Sequence, residues 1–111
     1  MLTIETLRAF GADVDEALAR CMNKPDFYLM LVKKAAEDSK PALLAEQLRA
    51  KDYDAAFETA HALKGMYANL SLTPLTKPVS EMTELLRSRT DTDYSALMEE
   101  TAAQFARLCS L

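Results

Sequence analysis

Asp52-Tyr53-Asp54-Ala55-Ala56-Phe57-Glu58-Thr59-Ala60-His61-Ala62-Leu63-Lys64-Gly65-Met66-Tyr67-Ala68-Asn69-Leu70 is the stretch that decides the fold of this chain. Tyr53, Ala56, Ala60, Leu63, Tyr67 and Leu70 recur at alternating steps of three and four residues. That spacing makes the apolar seam of a helix packed in the middle of a bundle. Asp52 is a good N-cap, because its carboxylate can accept from a free amide of the first turn. The expected helix therefore runs from Asp52 to about Leu70.

Helical periodicity continues on both sides. Upstream, a region from Thr3 to about Met22 reads as helix with a break near Gly11, and Asp13 reads as the restart cap. Asn23-Lys24-Pro25-Asp26 is a break. A helix from about Asp26 to Glu37 follows, with Phe27, Met30, Leu31 and Lys34 at helical spacing and the Lys34 stem at the edge of the stripe. Asp38-Ser39-Lys40-Pro41 ends that helix and caps the next, which carries Leu44 and Leu48 and ends near Lys51. Downstream, Thr73-Pro74 can start a helix, but Pro78 lacks the amide for an intrahelical bond. Either the first turn is irregular, or the regular helix begins at Pro78 and runs to about Arg89. Thr90-Asp91-Thr92-Asp93 makes the last loop, and Tyr94, Leu97, Met98, Thr101, Phe105 and Leu108 mark the buried stripe of a final helix. No segment alternates with a strand period. The expected fold is all-α: an up-and-down four-helix bundle with an additional N-terminal helical segment, built as one domain over residues 1–111.

Composition sets further bounds. Half of the 111 residues are apolar and only two are glycine, which favours one packed core over disorder. Thirteen basic against 17 acidic side chains give a net charge of −4, which argues against nucleic acid as a partner. No run approaches the roughly 18 apolar residues that a membrane span needs, and Met1-Leu2-Thr3-Ile4-Glu5 lacks the layout of a signal peptide. The expected location is the cytoplasm. Cys21 and Cys109 match no metal spacing. Reduced thiols among apolar neighbours are the simplest reading, and a disulfide joining the chain ends is the alternative.

The central helix also carries the candidate chemistry. At about 100° per residue, His61 lies roughly 140° from the centre of the apolar stripe and points to water. Gly65 lies about 40° around from it and Lys64 about 60° away on the flank. A lone exposed histidine is usually a bystander, and a lone lysine an ordinary solvated charge. Gly65 is harder to set aside. In a helix interior glycine costs roughly 1 kcal/mol relative to alanine, and Leu63, Tyr67 and Leu70 carry the seam straight past it. A glycine kept on an exposed face points to something that must come close. Phe57 reads as core edge or docking surface, and Met66 as packing on the opposite flank.

Ala60-His61-Ala62-Leu63-Lys64-Gly65-Met66-Tyr67-Ala68-Asn69-Leu70 resembles the signature of histidine-containing phosphotransfer (HPt) domains, the helical relay modules of multistep two-component signalling. The family pattern places a hydrophobic residue, Lys and Gly at the second, third and fourth positions after the histidine, and Leu63, Lys64 and Gly65 meet it. The continuation to Leu75 is also similar, with Ser71 where the family often has glycine; Met66 and Tyr67 stand where small residues are common. The resemblance implies that His61 is the phosphoacceptor and that Lys64 supplies positive charge to the phosphoryl oxygens. In this reading Gly65, Phe57, Glu58 and Ala68 form the docking face; Asp54 and Asn69 could serve as rim contacts or hydrogen-bond partners, but nothing in the sequence assigns them. The implied partner is a response-regulator receiver domain, a hybrid sensor histidine kinase, or both, and the receiver brings the Mg2+ and most of the active site.

A neutral imidazole is a nucleophile through its unprotonated ring nitrogen. The chain has no glycine-rich phosphate loop and no nucleotide-binding motif, so the expectation is a monomeric phosphocarrier, not an enzyme with its own kinase or ATPase activity. The competing readings are an adaptor bundle with an incidental His61 and a small metal protein or enzyme using His61 with Glu58 or Asp54. A sensor-kinase dimerisation domain fits less well, because its histidine is usually followed by an acidic residue and Ala62 follows here.

Overall fold

The computed structural model describes residues 1–111 and contains seven helices. They are α1 (Ile4–Phe10), α2 (Val14–Arg20), α3 (Pro25–Ala36), α4 (Lys40–Arg49), α5 (Tyr53–Asn69), α6 (Thr73–Arg87) and α7 (Ser95–Cys109). Helices α4 to α7 form the up-and-down bundle: α5 packs against α4 and α6, and α7 packs against α6 and closes the ring on α4. The three N-terminal helices build the additional segment, with α3 resting on α7. No helix is long and apolar enough to cross a membrane.

Local signals explain most boundaries. Thr3 and Thr6 form a reciprocal capping box at the start of α1, each side chain accepting from the other's amide. Gly11 ends α1 at φ 113°, a left-handed conformation, and a Cβ there would stand 2.9 Å from Cγ of Pro74. Asp13 and Asp52 cap α2 and α5 by accepting from the amides of Glu16 and Ala55 at 3.2 and 3.3 Å. The Asp38 carboxylate accepts from the Lys40 amide at 2.7 Å, at the turn into α4.

Three features differ from the sequence reading or complete it. The inward face of α3 is Tyr28, Val32 and Ala35, while Phe27 and Met30 are exposed. The phase is turned by one residue, and the buried Tyr28 hydroxyl is satisfied across the core by donating to the Leu70 carbonyl at 2.8 Å. Helix α6 begins at Thr73 and runs unbroken past Pro78. Pro78 has no amide to make the α-helical bond to the Pro74 carbonyl, yet its ring is buried, as are Leu75, Val79, Met82 and Leu86. Burial on that strongly amphipathic face outweighs the lost bond. Both cysteine thiols are free; Cys21 is buried but Cys109 is exposed.

The turn after α5 accounts for the serine that stands where the resemblance expects glycine. Ser71 has φ 55°, and the Leu72 amide closes back on the Tyr67 carbonyl at 3.0 Å in the Schellman pattern. Ser71 adopts this glycine-favoured conformation while its side chain is used elsewhere. Its hydroxyl donates to Glu16 at 2.8 Å and accepts from Arg20 at 3.0 Å, and its carbonyl accepts from the Asp13 amide at 3.0 Å. These bonds lock the N-terminal segment onto the end of α5.

Candidate functional site

The seam of α5 is buried as its spacing requires: Ala56, Ala60, Leu63 and Tyr67 have no exposed surface. Burying that face turns His61, Ala62, Gly65, Ala68 and Asn69 to solvent. The three small residues among them leave a low shelf around the imidazole. No atom lies within 4 Å of where a Cβ on Gly65 would stand, apart from its own local helix backbone. The glycine is therefore not demanded by packing within this chain.

The His61 ring stacks on Phe57, one turn earlier, with centroids 5.6 Å apart and planes inclined by 22°. Phe57 is half-buried and packs against the core. It is also the meeting point of two cations, since the guanidinium carbons of Arg87 and Arg89 lie 5.1 and 4.9 Å from its ring centre. Arg89 in turn donates to the Asp54 carboxylate.

Lys64 is partly covered, and its ammonium group lies 3.2 Å from Oε1 of Glu84 on α6. The same carboxylate accepts from Arg87, at 3.2 Å on Oε2 and 3.5 Å on Oε1. The hydrogen bond from Arg87, and then that from Lys64, holds the Glu84 carboxyl below its ordinary range. Lys64 is thus an ion-paired side chain at rest, not the unattached charge that the sequence suggests.

The remaining candidates are spread along the same side. Glu58 is exposed. Ala68 presents its methyl group to solvent while its carbonyl accepts from Arg20 at 3.0 Å, so the backbone under the shelf is clamped. No three His, Cys, Asp or Glu side chains gather as a metal-ligand set. A cleft of about 760 Å3 lies elsewhere, between α4, α7 and the loop before α7, and is lined by Leu48, Tyr53, Tyr94 and Met98 among others. His61 stands exposed, away from that cleft.

Sequence reasoning missed Glu84, Arg87 and Arg89. A signal for them existed. Phe57 and Arg87 each stand 15 residues from Leu72, the turn residue between two antiparallel neighbours, so counting outward from that turn brings them together.

Neither the comparison with curated proteins nor that with solved structures gave a match. The family model described as "Hpt domain" matches residues 5–110, nearly the whole chain. This chain, with its all-helical bundle and a single histidine turned outward from the central helix, belongs to the Hpt domain family, the phosphotransfer modules of two-component phosphorelays.

Proposed function

We infer that His61 is the phosphoacceptor of a relay intermediate, which takes a phosphoryl group from the aspartyl phosphate of one receiver domain and passes it to the aspartate of another. The observation that carries this reading is the open surface beside the ring. With small side chains around it and no atom over Gly65, a partner's loops can bring a phosphoryl group in line with a ring nitrogen.

In the forward step, the lone pair of the neutral imidazole attacks phosphorus. The N–P bond forms as the bond from phosphorus to the aspartyl oxygen breaks, and the aspartate leaves as a carboxylate with the bonding pair. The ring keeps its N–H proton on the other nitrogen, so no proton has to leave. Transfer onward is the same step run in reverse with a second aspartate. Such transfers depend mostly on positioning and charge neutralisation. Stacking on Phe57 restricts the imidazole, and Lys64 offers positive charge to the phosphoryl oxygens. The Mg2+ sits on the receiver, so this chain requires no ligand set of its own. Gly65, Phe57, Glu58 and Ala68 form the docking surface, and the protein works as a monomeric phosphocarrier without kinase or ATPase activity.

His61→Gln tests the reading. Incubated with phosphorylated receiver domains, the wild-type protein is expected to take up acid-labile, base-stable label and the variant none. Label retained by the variant, or no uptake by the wild-type protein from any receiver of its organism, refutes it. An adaptor that merely docks through this face would keep its binding in the variant and never carry label.

A further inference from the structure

We propose that Glu84 is a positioning residue that parks Lys64 on α6 in the resting protein and releases it when a phosphoryl group arrives, with Arg87 keeping Glu84 neutralised after the release. This rests on His61 being the phosphoacceptor.

The division of contacts on the carboxylate carries the argument. Oε1 is shared by Lys64 at 3.2 Å and Arg87 at 3.5 Å, while Oε2 belongs to Arg87 alone at 3.2 Å. If Lys64 leaves, both oxygens still have an arginine donor and no bare charge is stranded. The two cations are suited to different parts. Lysine is a compact charge on a flexible stem, whereas the arginine fork is planar and stacks on aromatic faces. Arg87 is held additionally over Phe57, 5.1 Å from the ring centre, and His61 stacks on that same ring. Arg87 is the fixed partner and Lys64 the mobile one.

Competition decides where Lys64 goes. A phosphoryl group brings a charge of about −1.5 to −2 and three acceptor oxygens, against a single carboxylate already shared with Arg87. Lys64 stands three residues after His61, one turn along the same face of α5. The phosphorylated ring therefore outbids Glu84 for the ammonium group. When the N–P bond breaks and the phosphoryl group leaves for a receiver carboxylate, Lys64 returns to Glu84.

The pair makes a testable cost, because the resting ion pair must open for Lys64 to assist transfer. In Glu84→Gln, the rate constant for phosphorylation of His61 at saturating phosphorylated receiver is expected to rise by about two- to fivefold, the range that an exposed ion pair supports. The receiver concentration giving half the maximal rate should stay within about twofold, since docking is unaltered. In the Lys64→Ala background the same Glu84→Gln change should have no effect on the rate. An unchanged or lowered rate in Glu84→Gln overturns the proposal. So does an equal gain in the absence of Lys64, or a change confined to half-saturation, because each reports a general charge effect on docking. Glu84 is exposed, so folding is no obstacle, and an unshifted thermal melt serves as the control. Failure of the underlying reading looks different: His61→Gln would then accept label whatever stands at position 84.

Discussion

At the scale of single residues, Gly65 separates what the fold requires from what a partner requires. Its site is open, with nothing for a Cβ to meet, and it lies inside a regular helix where glycine is a poor choice. Gly65→Ala should therefore stabilise the protein by up to about 1 kcal/mol in chemical denaturation. Gly65→Glu should fold as well as the wild-type protein, yet lower transfer to and from a receiver by roughly tenfold or more, equivalent to about 1.4 kcal/mol of lost docking. Unaltered transfer kinetics in Gly65→Glu would show that the glycine plays no part in docking. A stability loss in Gly65→Ala would point instead to an intrachain role. Residue-level reading worked well for this patch because exposure on a helix follows from angle alone. It worked less well for Lys64, whose ion pair with Glu84 depends on which helix lies alongside.

At the scale of elements, the helix ends hold the N-terminal segment to the bundle. Gly11 sits at φ 113° against Pro74, and Ser71 ties Asp13, Glu16 and Arg20 to the end of α5. Gly11→Ala puts an L-residue into a left-handed conformation and a methyl group too close to the Pro74 ring. The expected loss is about 1–3 kcal/mol of stability, read as a lower denaturant midpoint. His61 and its surroundings lie on α5 and α6, so transfer at a temperature where the variant is folded should remain at the wild-type rate. A variant as stable as the wild-type protein would mean that the α1–α2 turn can rearrange without cost. The element boundaries were largely legible because caps, glycines and prolines act over a few residues. Pro78 was the exception: a local rule disfavours it inside α6, and burial among Leu75, Val79 and Met82 overrules that rule.

At the scale of the whole molecule, stability should depend on pH at both extremes and little between them. Hydrogen bonds from Arg8, Arg87 and the Ser95 side chain, respectively, hold Asp15, Glu84 and Asp93 below their ordinary values. A carboxyl group depressed in the folded state stabilises the fold above its unfolded pKa, and that contribution disappears as pH falls through the folded value. The melting temperature is expected to be flat down to about pH 5 and to decline below about pH 4. At the other extreme, burial pushes the Tyr28 hydroxyl up to about 12 and raises Tyr67 as well. Groups raised in this way stabilise the fold below their ordinary pKa, so the melting temperature should fall again above about pH 10. Melts recorded from pH 3 to 11 check both limbs. A curve level to pH 11 would mean that the buried tyrosines are not shielded.

The sequence by itself determined the helical class, the seam of α5 and the outward direction of His61, because each follows from periods of a few residues along one element. It also carried the motif by which the family can be named, Leu63, Lys64 and Gly65 after His61. Only the tertiary structure decided that α3 buries Tyr28 and not Phe27, that Lys64 rests on Glu84, and that Arg87 and Arg89 converge on the ring beneath the histidine. Those facts depend on how α6 and the core lie against their neighbours. Contacts between residues 20 or more positions apart leave no period in the chain to be read.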